Sequence, residues 1–220
     1  MLLERPDFIV LNKPSGMAVH GGSGIRLGLI EAIRQVQPEW ERAELAHRLD
    51  RETSGCLLIA KNAAFLKCAQ DQFREHLVTK EYLALVYGHW PASISRIDAR
   101  LQKDPVGDGE RIVRVREEGK PALTRFEVEA RFEDATLMRA KPETGRTHQI
   151  RVHCQFAGHP ILGDDKYTPS ASAAGPLTPK SLCLHAERLA FTEPGSEERI
   201  QVTAALDPQF HALLDALEKQ

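Results

Sequence analysis

No apolar stretch in the 220-residue sequence approaches the ~18 residues that a membrane-spanning helix needs, so that class of membrane protein is excluded. The N-terminus, MLLERPDFIVLNKPSG, has no small-residue cleavage site behind an apolar core, so it does not read as a secretion signal, and the expected compartment is the cytoplasm. Cysteine is scarce. Cys56, Cys68, Cys154 and Cys183 lie far apart with no C-x-x-C pair, which fits reduced core thiols and offers neither a disulfide framework nor a recognisable zinc site. Charge excess is missing too: the net charge is −2, so bulk electrostatics does not suit the chain to grip nucleic acid, and any RNA contact must rest on local residues. Cofactor signatures are equally absent. HGGSG at 20–24 has neither the G-x-x-x-x-G-K-[ST] nor the G-x-G-x-x-G spacing of a phosphate cradle, and Ser54 in TSGC is not the G-x-S-x-G of a nucleophile elbow. The nine histidines form no H-E-x-x-H or His/Cys cluster.

Hydrophobic residues at 42% and charged residues at 27% are ordinary for a globular protein. A chain of this length buries about 70% of its extended surface on folding, enough for a core without disulfide or metal staples. DFIVLNKP, GCLLIAK and KEYLALVYG read as strands. Helices are predicted from Leu27 to Val36, closed by Pro38, and through NAAFLKCAQDQFREH, where Asn62 is placed to cap. SRIDARL, ERIVRVR, ALTRFEVEARF and ATLMRAK read as strands joined by short polar turns. A helix is predicted over 146–157, then a loop of small residues, SASAAGPLTPKS, two strands in LCLHAERLAF and RIQVTA, and a closing helix in PQFHALLDALEK. Mixed spacing without regular βαβ alternation gives an α+β fold around a mixed, largely antiparallel sheet flanked by helices, as one domain over 1–220.

Two segments stand out chemically. In LAHRLDRETSGCLLIAK, the polar run Arg48, Asp50, Arg51, Glu52 abuts a run suited only to the interior of a sheet, which is either a turn before a buried strand or a carboxylate held at a cleft. On the 146–157 helix, Ile150, Cys154 and Ala157 form an apolar stripe while His148, Arg151 and Gln155 share another face, solvated or functional.

HRLDRETSG at 47–55, KEYLALVYG at 80–88, GRTHQIRVH at 145–153 and LHA at 184–186 together resemble the RluA-type pseudouridine synthases, in the same order and at similar intervals. The likeness runs from about Asp7 to the last helix. It implies the pseudouridine synthase catalytic fold, an isomerase of uridines in large-subunit (23S) ribosomal RNA, no cofactor and no metal. In most members of the subgroup that the chain resembles, an S4-type RNA-binding domain precedes the catalytic domain; that domain is expected to be absent here, the chain being either a catalytic fragment or a short natural member. No membrane partner is expected, and a monomer is.

The resemblance assigns Asp50 as the catalytic carboxylate, leaving open attack at C1′, attack on the base, or proton removal from the ribose. It assigns Arg151 as the arginine that pairs with that aspartate, an opposite charge favouring the ionised carboxylate. Tyr82 matches the active-site tyrosine, a face for a flipped uracil at ~1–3 kcal/mol of stacking, or else a strand tyrosine of the core. Arg48 matches an arginine that helps to extrude the base, with a structural salt bridge as the rival reading. Leu184 matches an apolar pocket wall. From the strand pattern, Arg114 and Arg116, with Arg125 nearby in sequence, are candidates for phosphate contact or a solvated face. Two other functions remain open: a non-catalytic RNA-binding or ribosome-assembly factor, and a carboxylate-dependent hydrolase using Glu52 as a second acid.

Overall fold

In the computed structural model, residues 1–22, 27–106, 110–168, 179–196 and 198–219 are described. In chain order the first half holds β1 (Leu3–Glu4), β2 (Phe8–Lys13), α1 (Leu29–Val36), β3 (Glu44–Leu45), β4 (Ser54–Ala60), α2 (Ala63–Arg74) and β5 (Thr79–Tyr87). There follow β6 (Arg96–Asp98), β7 (Leu101–Val106), β8 (Glu110–Val115), β9 (Leu123–Arg131), β10 (Ala135–Pro142), α3 (Gln149–Phe156), β11 (Leu184–Thr192), β12 (Arg199–Thr203) and α4 (Pro208–Leu217). They divide into two compact units, residues 1–80 with 185–207 and residues 81–184 with 208–220.

In the first unit β4 is the spine. All seven of its residues are buried, which explains its uninterrupted apolar sequence. β2 and β3 pair with it antiparallel, β11 lies parallel to it, β1 extends β2 and β12 extends β11, so the sheet is mixed. Against it packs α2, which starts at Asn62 because that side chain accepts the Phe65 N–H at 2.9 Å, a cap of about 1 kcal/mol. Four residues apart on one face, Phe65 and Ala69 are buried, and Phe65 stacks on Phe8 with ring centroids 4.7 Å apart while Phe191 meets Phe8 edge-on.

The second unit carries the antiparallel order β5-β10-β9-β6 and a separate β7–β8 hairpin over a core of Leu101, Val113, Ala122, Val152 and Tyr167. The predicted strand SRIDARL is really two. β6 pairs with β9, and the chain leaves that sheet at Ala99 and Arg100, where the Arg100 Nε donates to the Gly119 carbonyl and Leu101 exchanges backbone bonds with Lys120. The 146–157 helix also begins later, at Gln149. His148 adopts a left-handed φ of 54°, and the Gln149 amide ties down the preceding turn by accepting from Thr144 Oγ1 and the Arg146 N–H. Most of the small-residue loop lies outside the described residues, as does part of HGGSG.

Gly55 shows why the loop-to-strand junction ends in Ser-Gly. Its φ is +108°, and a Cβ there would lie 2.2 Å from the carbonyl oxygen of Ala186 on the parallel neighbour β11. Gly55→Ala should therefore cost about 3 kcal/mol or more, the sum of a forbidden φ and an overpacked contact, read as a lower urea midpoint.

Candidate active site

The polar run of residues 48–53 is a short loop between β3 and β4, fixed at both ends. At its start the buried Ala46 donates its N–H to the Leu58 carbonyl, and His47 Nε2 accepts the Leu58 N–H at 3.0 Å with its ring 4.9 Å from that of Phe73. Leu49 is buried between the exposed Arg48 and the half-buried Asp50. The Thr53 N–H closes the turn on the Asp50 carbonyl at 3.2 Å, and Thr53 and Ser54 are buried. Asp50 is thus a partly accessible carboxylate on a backbone that its own neighbours hold in place.

A second clamp comes from the end of β2. Lys13 is only 1% exposed, and its ammonium donates to the carbonyls of Pro14, Met17 and Arg51 at 2.9, 2.8 and 2.9 Å. Ser15 Oγ donates to the Glu52 carbonyl at 2.7 Å, and Arg51 Nε donates to the Gly16 carbonyl at 3.0 Å. Burial pulls the Lys13 pKa down to about 8, opposed by the attraction of Glu52, Asp50 and Asp207. The Asp50 loop is therefore held by a buried cation at the end of β2, a residue outside the sequence-based site assignment.

The loop is also pinned from β11. His185 Nε2 lies 3.2 Å from the Ala204 carbonyl, which can only accept, so Nε2 carries the proton and Nδ1 accepts from the Ser54 hydroxyl at 2.9 Å. His153 in the second unit has the same arrangement, donating to the Ala99 carbonyl and accepting from Thr124 Oγ1. Burial lowers the pKa of both, and burial together with the Lys80 charge lowers His47 to about 4. As pH falls through the ordinary histidine pKa of 6.5, the unfolded chain takes up protons that the folded chain refuses, so stability is lost with acid. The urea midpoint should fall steadily from pH 7 to pH 4, with up to about 3 kcal/mol from His47 alone, and His47→Gln should flatten much of that fall.

In the second unit the 148–155 face of α3 is solvated only in part, with Gln155 exposed and His148 half-buried. Arg151 is buried, and its guanidinium grips Asp164 in a fork, Nε to Oδ2 and Nη2 to Oδ1, both 2.8 Å. Asp164 also accepts the Lys166 and Tyr167 N–H groups, and the guanidinium carbon stands 5.0 Å from the Tyr167 ring centroid. The Tyr167 hydroxyl accepts from the Val113 N–H and is hydrogen-bonded to His148 Nδ1 at 2.7 Å. Arg151 is thus oriented by Asp164, a partner without a marker in the sequence. Tyr82 is half-buried on β5 opposite Ala140 of β10, and Leu184 is buried at the start of β11. Arg114 and Arg116 share Asp104 of the adjacent strand at 3.8 and 3.2 Å with their side chains half exposed, and Arg125 pairs with Glu143. Arg48 and Asp50 belong to the first unit; Tyr82, Arg151, Leu184, Arg114 and Arg116 belong to the second.

Residues 7–156 match the RNA pseudouridylate synthase family model. The chain belongs to the RNA pseudouridylate synthase family. Its relatives in that family include the ribosomal large subunit pseudouridine synthase C of Pasteurella multocida, 50% identical over 222 residues that make up all of this chain and 68% of the relative. The enzyme of the same name in Escherichia coli K12 is 49% identical, over 99% of this chain and 69% of the relative. Among solved structures, human RNA pseudouridylate synthase domain containing 4 is 26% identical with a TM-score of 0.79, covering 99% of this chain and 92% of its own. Human RNA pseudouridylate synthase domain containing 1 is 28% identical at a TM-score of 0.75, covering 100% and 94%. The expected α+β fold with a mixed, mostly antiparallel sheet is the fold of the pseudouridylate synthase family.

Proposed function

We propose that this chain isomerises uridine to pseudouridine in large-subunit (23S) ribosomal RNA, in the cytoplasm and without a cofactor, with Asp50 as the reacting carboxylate. The C1′–N1 bond breaks, the uracil turns, and C1′ joins C5, so no atom is gained or lost. The observation that carries this reading is the clamped loop: a half-buried carboxylate whose backbone is tied on three sides, by Lys13 and Ser15, by His47, and by the Ser54–His185 pair. A turn aspartate of no function does not need three anchors. Further support is the near-50% identity to enzymes named for large-subunit pseudouridine synthesis.

In this reading Tyr82 offers its ring to the extruded uracil, Leu184 an apolar wall, and Arg151, oriented by Asp164, a positive charge for the substrate. Exposed Arg48 takes part in holding the RNA open, and Arg114 and Arg116 meet phosphates with their half-exposed guanidinium groups. The test is a carbodiimide primer-extension map of large-subunit RNA transcripts incubated with the protein. New stops at defined uridines are expected; RNA that is bound yet shows no stops would favour the assembly-factor reading, and cleaved RNA the hydrolase.

A further inference from the structure

The clamp between residues 13–17 and the Asp50 loop also builds an open groove of about 570 Å³, lined by the Pro14–Ala18 turn, Leu27 and Arg51. Three features make it more than a surface dent. Met17 and Leu27 are 40% and 49% exposed, two of the few large apolar side chains left in contact with solvent among the described residues, and both line this one groove. Arg51 is 63% exposed, yet its Nε is fixed by the Gly16 carbonyl at 3.0 Å and by Glu52 Oε1 at 3.3 Å, which leaves both terminal nitrogens without a partner among the described residues. The groove is also joined to Asp50 through the chain itself, since Arg51 is the next residue and its carbonyl is held by Lys13.

A guanidinium held at Nε, whose two terminal nitrogens make no hydrogen bond among the described residues, is shaped for a phosphate, and a flexible thioether beside a leucine is shaped for the flat face of a base. Apolar floor and cationic wall together fit a nucleotide, and the volume lies in the range of sites that hold ligands of that size. We infer that this groove seats the RNA nucleotide next to the target uridine, its base on Met17 and Leu27 and its phosphate on Arg51. The inference rests on the reading of Asp50 given above, and it adds a subsite that reads the strand beside the target.

The test is equilibrium binding of a fluorescent single-stranded RNA oligomer across a salt series, alongside pseudouridine formation. Arg51→Gln should make the log–log salt dependence of affinity shallower by about one, as loss of one phosphate contact does, while Arg51→Lys keeps the slope. Met17→Ser combined with Leu27→Ser should raise KM and weaken binding about tenfold with the salt slope intact. Unchanged slope in Arg51→Gln, or unchanged affinity in the double variant, would overturn the subsite. Wild-type protein that binds with the expected slope but forms no pseudouridine would instead remove the reading of Asp50 and leave the groove standing, because binding is scored without turnover.

Discussion

Asp50→Asn is expected to abolish pseudouridine formation, by on the order of 10⁴-fold or more, the scale on which loss of a group taking a covalent or proton-transfer step acts. The exchange is nearly isosteric, and the backbone bonds that hold the loop, from Thr53 to the Asp50 carbonyl and from Lys13 and Ser15 to Arg51 and Glu52, do not use the Asp50 carboxylate. The fold and RNA affinity should therefore survive. Among the interactions lost with the charge is the attraction between this carboxylate and the Lys13 ammonium. Unfolding by urea should show a change of about 1 kcal/mol at most. Glu52→Gln is the matched control. Glu52 is half exposed and its carboxylate touches Arg51 Nε at 3.3 Å, so it anchors Arg51 without reacting, and a loss of about tenfold or less is expected. A fall as deep as that of Asp50→Asn would point to a two-carboxylate mechanism and revive the hydrolase, whereas unchanged product in Asp50→Asn would remove the aspartate from the chemistry.

The strands and helices were legible because their apolar periodicity is local, and the order of four short motifs carried the family. The loop around Asp50 was legible only in part. Its charges were visible, but the reason it stays rigid is spread over Lys13, Ser15, His47, Ser54 and His185, which are scattered from one end of the chain to the other. Lys13 is the instructive case. In sequence it is a lysine at the end of a strand, of the type most often solvated, and only the three carbonyls that converge on it explain its burial. One signal was available: a lysine followed by Pro-Ser-Gly, where the turn brings carbonyls back toward the side chain that precedes them. Arg151 was found as a residue but not by its partner. Asp164 lies thirteen positions on, past the end of the helix, where periodicity has no reach. The late start of α3 was hidden for a similar reason, since it depends on an amide of Gln149 bonding across to Leu123 and Thr124.

Lys13→Met tests the clamp itself, and its effect should be large on both stability and turnover. Methionine fills the same channel with an apolar stem and removes the donor to three carbonyls at once. Each bond from a charged donor contributes about 1.5–3 kcal/mol, offset in part by relief of the buried charge, so a net loss of about 2–4 kcal/mol is expected. Turnover should drop by on the order of 10²-fold or more, because a loop displaced by about 1 Å misaligns the reacting carboxylate. The pH dependence separates these two roles. Lys13 has its folded pKa lowered to about 8 from 10.5, so between those values the folded protein has shed a proton that the unfolded chain keeps, and stability rises with pH. Lys80, also lowered to about 8 by burial, adds to the same rise, while the buried thiol of Cys56, pushed up to about 11, opposes it once pH passes 9. Turnover should move the other way over pH 8 to 9, since a neutral amine offers fewer hydrogens to the three carbonyls and no charge to Asp50. In Lys13→Met the share of the stability rise due to Lys13 should vanish, leaving that of Lys80, and the residual turnover should lose its alkaline fall. An alkaline limb that persists in the variant would mean that another group sets it and that Lys13 is a packing residue alone.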